Sequence, residues 1–457
     1  LKIKLGGDGR AADISERRYW DLDFPDQGDE RNPRVGTALQ EEFEETFRRA
    51  VEIRLRADVP VVGYLSGGVD STTVMLTAGA IQGKPLPAFT IQIPTQGLDE
   101  TDLALLAADR LGSKPTVVRC SSDVITAAYP RLIEAAESPV MDTSCSALYC
   151  LAREVRDQGY KVALAGEGAD DWLAGYPWFK YGKILGLLDT RRFTPSNVIR
   201  RWALRRNGTD ASWEQMAEVQ RMLGGPNGFG LLYGMVSLSR YRFYGQDMWR
   251  QLDGHTAWCD LDLNTEGLKR WHPLNRGLYL GNKTMLSGML LNHKGDRPAM
   301  HNSVETRYPF LDLNVVDLCS KVHPRWKLRG LRRDKHLLRN YAGKILPSCI
   351  ANRPKAMFRA PFADTFFANP PAFVEQLMSP ESLAKTGYFD AQKVAHHRAN
   401  YDQHGRRAAG QRIMIDMGLT GVMATQLWHH TFLGDQLCEL PQWTPGTTAG
   451  AHALRAS

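Results

Sequence analysis

The chain has 457 residues, 43% of them hydrophobic and 23% charged, with a net charge of +7, and is long enough to form more than one core. No apolar run approaches the roughly 20 residues of a membrane span, and the opening Leu1-Lys2-Ile3-Lys4 lacks the apolar stretch of a signal peptide. Seven scattered cysteines without a C-x-x-C pair argue for reduced thiols in a cytosolic protein and against disulfides or zinc. The positive charge suits an anionic ligand but is too diffuse to indicate nucleic acid.

Residues 1–30 are short, charged and Gly-containing, too little for a domain. From Thr37 to Ala57, Leu39, Phe43, Phe47 and Val51 recur at helical spacing, with Glu and Arg opposite. The β-branched run Val59, Val61, Val62 and then Tyr64, Leu65 predicts a strand, and Thr72-Thr73-Val74-Met75-Leu76 predicts a helix. Between them lies Ser66-Gly67-Gly68-Val69-Asp70-Ser71. A glycine turn between strand and helix makes an anion site, because backbone N–H groups and the positive end of the helix dipole face the ligand. Ser66 and Ser71 add hydroxyl donors. A carboxylate facing phosphate is repulsive unless a divalent cation separates them, so Asp70 reads as a magnesium ligand. The plainer alternative is a strand-to-helix turn with a capping Asp or Ser. The hexapeptide resembles the pyrophosphate loop of ATP pyrophosphatases, which cleave ATP between the α and β phosphates and adenylate a substrate.

A second strand is predicted over 88–93, a helix capped by Asp99-Glu100-Thr101-Asp102, a third strand over 116–119, helices near 123–136 and 145–158, and a buried strand over 161–165. Strands alternating with helices predict a parallel α/β sheet with ligands at the carboxyl ends of its strands. The last strand runs into Gly166-Glu167-Gly168-Ala169-Asp170-Asp171-Trp172-Leu173-Ala174-Gly175-Tyr176. This repeats the order strand, glycines, acid, helix. Two such loops at adjoining strand ends would share magnesium and pyrophosphate through Asp70 and Asp170, both taken as exposed there.

From Tyr181 onward helix signals dominate, so a parallel-sheet core is expected to carry a large, mainly helical C-terminal portion. The paired arginines of 190–206 (Arg191-Arg192, Arg200-Arg201, Arg205-Arg206) read as a solvated helical face in preference to a nucleic-acid surface. Residues 207–228 read as a loop or small insertion, and 440–457 as a flexible tail. Met300 to Asp312 has no clean amphipathic phase. Lys335-His336-Leu337-Leu338-Arg339 reads as part of a helix ending at Leu346-Pro347, and Arg353 to Phe358 as a loop.

With these blocks in place, the chain resembles the synthetase domain of class B, glutamine-dependent asparagine synthetases over residues 15–365. The resemblance rests on Tyr19-Trp20, Ser66 to Ser71, Asp99-Glu100, Glu137-x-Pro139-x-x-Asp142-x-Ser144 and Gly166 to Tyr176. It continues through Glu305-x-Arg307-x-Pro309-Phe310-Leu311-Asp312, Lys335-x-x-Leu338-Arg339 and Arg353-x-Lys355-x-x-Phe358. It implies an adenine-nucleotide α-hydrolase-like (PP-loop) core over 36–370, a remnant of a glutaminase domain and linker over 1–35, and a helical extension over 371–457. The implied reaction is adenylation of the aspartate side chain by ATP with magnesium, then displacement of AMP by ammonia. Leu65 and Ile91 would hold adenine through the backbone, Ala165 and Gly166 would lie against the nucleoside, and Ser66, Gly67, Gly68, Asp70 and Ser71 would grip the pyrophosphate. Glu167 would accept a proton from the attacking ammonium, and Lys335 and Lys355 would stand near the phosphates.

The family usually has Glu after the loop Asp, then an aliphatic or aromatic residue and two glycines before the tyrosine; here Asp171, Trp172 and Ala174 stand in that segment. β-Lactam synthetases and lasso-peptide cyclases resemble this domain too, but an internal amine then closes a ring; Glu167 favours asparagine synthesis. The chain opens on Leu1 and has no cysteine before Cys120, so the expectation is use of free ammonia, with glutamine served by a glutaminase domain in a complete protein. The expected partners are aspartate, ATP and ammonia or glutamine, with no nucleic acid and no membrane. A homodimer stays open.

Overall fold

The computed structural model describes residues 1–7, 11–32, 36–189, 195–206, 213–230, 239–255, 259–355, 357–361, 364–401, 409–434 and 436–441. The expectations for Arg191-Arg192, for 207–212 and for the tail beyond residue 441 lie outside the described residues.

The chain starts with an antiparallel hairpin, β1 (Lys2–Leu5) and β2 (Ala11–Ser15), with Ile3 opposite Ile14. The sequence reading has no strands here. The linker that follows is split by burial: Tyr19 is 95% exposed, whereas Leu22 and Phe24 enter the main core. Phe24 meets Trp271 edge-on at 5.5 Å.

Helix α1 (Thr37–Arg54) buries Leu39, Phe43, Phe47 and Val51, the stripe its spacing predicts. Then β3 (Val61–Tyr64), α2 (Val69–Gln82), β4 (Ala88–Gln92), α3 (Thr101–Leu111), β5 (Thr116–Arg119), α4 (Ser122–Ala136), α5 (Ser144–Asp157) and β6 (Val162–Leu164) follow within a few residues of their predicted places. Local chemistry sets the ends. Asp99 Oδ1 accepts from the Thr101 N–H at 2.9 Å before α3, Ser121 caps α4, and left-handed Gly83 and Gly112 terminate α2 and α3.

The sheet runs β5-β4-β3-β6-β7, all strands parallel. The fifth strand, β7 (Glu305–Arg307), pairs with β6, Val162 opposite Glu305. It is absent from the sequence reading because three polar residues carry no period-2 signal; pairing with a neighbour, not side-chain pattern, makes it a strand. The chain winds from β3 outward through β4 and β5, then returns on the other side with β6 and β7. The switch point therefore falls between β3 and β6, where ligands of open α/β sheets bind.

Alternation divides the sheet between two cores. Val61, Val162 and Leu164 face one cluster with α1 and α2, while Val62 and Ala163 face another with α4 and α5. Past β6 come α6 (Ala169–Trp172), α7 (Pro177–Gly186), α8 (Ser196–Arg206), α9 (Trp213–Met222) and α10 (Pro273–Gly281). A π-helical stretch, Asn282–Asp296, continues α10. Then come α11 (Leu313–Lys321), α12 (His336–Ile345) and, after shorter helices, α13 (Ala409–Phe432). A third cluster joins Tyr129, Leu132 and Ile133 of α4 to Leu419, Val422 and Met423 of α13. Among the described arginines of α8, Arg200 departs from a solvated face: it is buried and lies 3.6 Å from Asp189.

Candidate active site

Three segments converge on the switch point. The first is the turn from β3 into α2. Gly67 has φ +68°, and a Cβ there would lie 2.5 Å from the Leu103 carbonyl carbon, so both conformation and space require glycine. Gly68 precedes α2 without any side-chain cap, which leaves the first N–H groups of the helix to a ligand. The Ser66 and Ser71 hydroxyls lie 3.1 Å apart, and Ser71 Oγ accepts from the Ser66 N–H at 3.2 Å.

The second segment is the turn from β6 into α6. It presses on the first: a Cβ on Gly166 would come 2.8 Å from the Ser71 nitrogen. Gly168 has φ +93°, and a Cβ there would meet Leu311 Cδ2 at 2.4 Å. The Leu65 N–H is committed to the Phe89 carbonyl at 2.9 Å and the Ala165 N–H to the Arg307 carbonyl at 3.0 Å. Of the backbone groups of these two residues, the carbonyls are the ones left to present to a nucleoside. Ile91 sits in β4 and takes no part in the ion-pair cluster below.

The third segment supplies cations. Lys335 is not inside a helix as its sequence suggests. It stands one residue before α12 with φ +48°, a conformation sparsely used by non-glycine residues. Its N–H donates to the Leu173 carbonyl at 2.9 Å, which ties α12 to the second loop. Its ammonium is 1% exposed and lies 2.6 Å from both Asp70 Oδ2 and Asp170 Oδ1. Lys355 lies 2.6 Å from Asp170 Oδ2. Asp70 and Asp170 are thus mostly buried and paired, not exposed as the sequence reading supposes. Arg353 pairs with Glu100 and donates to the Gly67 carbonyl at 3.3 Å, joining two motifs whose roles were not legible in the chain.

These neighbours set the charges. Burial raises the Asp70 carboxyl despite Lys335 beside it. Burial opposes the Asp170 charge too, but Lys335 and Lys355 together hold its carboxyl at about 2. Asp171, buried next to the charged Asp170, is pushed up to about 8, so this departure from the family pattern places a neutral acid in the cluster. Burial also raises Glu167, whose Oε2 has no hydrogen-bond partner. The Tyr64 hydroxyl, whose titration is raised by burial and by Glu167, has none either.

Around Glu167 lie residues that the sequence reading does not assign. Lys294, at the end of the π-helical stretch, pairs with Asp142 at 2.7 Å. Asp142 Oδ1 also accepts from the Ser144 N–H at 2.9 Å and from its hydroxyl at 2.6 Å. Burial opposes both charges, but each partner keeps the other ionised. Lys294 sits in a run without amphipathic phase, so no spacing signal distinguishes it from a surface lysine.

For magnesium, the donor set is partial. Asp70 Oδ1 is buried without a partner, and the Lys335 nitrogen shows that Asp70 and Asp170 can close on one cation. Among the described residues no group of three or more acidic, His or Cys side chains forms a metal site by itself. Phosphate oxygens and water would have to complete the shell, as is usual for this ion.

The chain matches the asparagine synthase family over residues 42–430. It is 27% identical over 412 residues to the amidase chyE of Penicillium rubens, covering 82% of this chain and 60% of that protein. It is 29% identical over 414 residues to a putative asparagine synthetase [glutamine-hydrolyzing] of Mycobacterium tuberculosis, covering 87% and 58%. Against asparagine synthetase [glutamine-hydrolyzing] 1 of Bacillus subtilis it is 29% identical over 362 residues, covering 76% and 53%. The chain therefore spans between 53% and 60% of the length of these relatives. A match over most of its residues, on a parallel sheet with both glycine loops at the switch point, establishes that the chain belongs to the asparagine synthase family.

Proposed function

We propose that this chain activates the side-chain carboxylate of aspartate with ATP and passes it to ammonia, giving asparagine, AMP and pyrophosphate. The observation that carries this reading is the convergence of Asp70, Asp170, Lys335 and Lys355 at the mouth of two glycine loops, with the unpartnered Glu167 carboxylate alongside. In the first step a carboxylate oxygen attacks the α-phosphorus and pyrophosphate leaves. The α2 N–H groups, Ser66 and Ser71 bind the departing group, and Lys355 meets the charge that develops on it. Asp70 and Asp170 would hold a magnesium ion, which neutralises phosphate charge when bound. In the second step ammonia attacks the acyl carbon, Glu167 takes the proton, and AMP departs.

A second reading has the same adenylation serving another carboxylate, and the amidase-named relatives at comparable identity favour it. Exchange of labelled pyrophosphate into ATP, measured across candidate carboxylates, tests both. Aspartate-dependent exchange supports the first reading. Exchange with a different acid alone supports the second, and none with any carboxylate overturns adenylation.

A further inference from the structure

A cavity of about 220 Å³ lies between the C-terminal helices and the segment Glu137 to Asp142, lined by Pro139, Arg240, Tyr244, Tyr388, Phe389 and Trp428 among others. Its walls are set before anything enters. Tyr244 and Phe389 form an isolated antiparallel bridge, and the Gly245 N–H donates to the Tyr388 carbonyl at 3.1 Å. The Tyr388 hydroxyl is engaged with His429 Nδ1 at 2.9 Å. Trp428 Nε1 donates to the Glu137 carbonyl at 3.2 Å, which fixes the cavity to the start of the 137–142 segment.

Arg240 brings a charge into this largely aromatic lining, and among the described residues its guanidinium has no ion-pair or hydrogen-bond partner. Its stem is pinned against α13, where a Cβ on Gly421 would come within 2.7 Å of Arg240 Cδ. A cation beside aromatic faces complements a carboxylate attached to an apolar body. The volume falls below the roughly 300–1,000 Å³ of pockets for drug-sized ligands, which limits the occupant to about the bulk of one amino acid. Pro139 links the cavity to the chemistry. Three residues on, at most about 11 Å along the chain, Asp142 pairs with Lys294, whose charge is felt by Glu167.

We propose that this cavity binds a small free carboxylic acid with an aromatic or branched apolar body, and that the bound acid braces the 137–142 segment next to Glu167. The test titrates hydrocinnamate into the full chain without ATP, by calorimetry and tryptophan fluorescence, so its failure leaves the proposed reaction untouched. The expected result is saturable one-site binding at millimolar concentration or below. Arg240→Gln should weaken it about tenfold, the loss of one charge-assisted hydrogen bond. Arg240→Lys, which keeps the charge and controls for folding, should retain most of it, and Thr425→Phe, which fills the cavity from α13, should abolish it. N-acetylphenylalanine amide, which mimics a residue inside a peptide, should not bind. No saturable binding to the unaltered chain overturns the proposal. So does equal affinity in Arg240→Gln, or equal affinity for the amide, which would mark a peptide-docking site instead.

Discussion

Asp170 accepts both active-site lysines, and that double pairing governs how substitutions here read out. Asp170→Asn removes one of the two carboxylates of the buried Lys335 and the carboxylate paired with the half-buried Lys355, so it should cost about 3 kcal/mol of stability along with pyrophosphate release. Denaturant unfolding and a pyrophosphate assay on the same preparation check both effects. Asp171 behaves in the opposite sense. Its carboxyl is raised to about 8 in the folded chain, against about 3.9 in an unfolded one. Its contribution to stability is full below the unfolded value and is lost as pH rises through the folded value. Asp171→Asn should therefore raise the melting temperature at pH 8, by about 1 kcal/mol or more in stability, and give no gain near pH 4. A gain of equal size at both pH values would show that burial of the charge is not the cause. Glu167→Ala should leave adenylation largely intact and impair transfer to ammonia; pyrophosphate and AMP release followed together would show equal losses if Glu167 instead serves the first step.

Among the elements, the two strand-to-helix turns matter through their contact more than through either alone. The lack of space for a Cβ at Gly166, against the Ser71 nitrogen, means that the β6 turn is seated on the first turn of α2. Gly166→Ala should push the two apart, weaken ATP–pyrophosphate exchange at least tenfold and cost about 1–3 kcal/mol of stability, while circular dichroism stays close to that of the unaltered chain. Full exchange in that variant would separate the second loop from nucleotide binding. Lys335 adds a constraint from α12: a left-handed residue whose N–H is tied to Leu173 holds its ammonium between two acids, and strain of this kind persists only where the surroundings enforce it.

Over the whole molecule, the C-terminal helices are packed into the same body as the sheet, since α4 shares one cluster with α13 and another with β4 and β5. Nitrogen supply is the property of the whole chain most open to test. None of its seven cysteines is amino-terminal, and Cys120, Cys145, Cys150 and Cys319 are buried. The steps proposed above draw on the two glycine loops, Lys355 and Glu167 and use none of these thiols. The purified chain, given ATP, magnesium and aspartate, should form asparagine from ammonium and release no glutamate from glutamine. Glutamate release would contradict this directly.

What the sequence determined by itself was whatever is encoded over short distances. The α1 stripe, the glycine turns at Gly67 and Gly168 and the alternation of strands with helices follow from periodicity and backbone sterics, which act within a few residues. The meeting of residues 66–71 with 166–171 was inferable only because both segments end strands; the order of the sheet was not read from the sequence. The tertiary structure decided the rest. Glu305–Arg307 became a strand by pairing with β6, and Asp70 and Asp170 became buried partners of lysines from distant segments. Asp171 became neutral, and Lys294 was carried to Glu167. The β6–β7 pairing, the Asp–Lys pairs and the approach of Lys294 to Glu167 join segments more than a hundred residues apart, and the Asp171 shift comes from burial beside Asp170; no local pattern encodes a desolvation cost or the partner that offsets it.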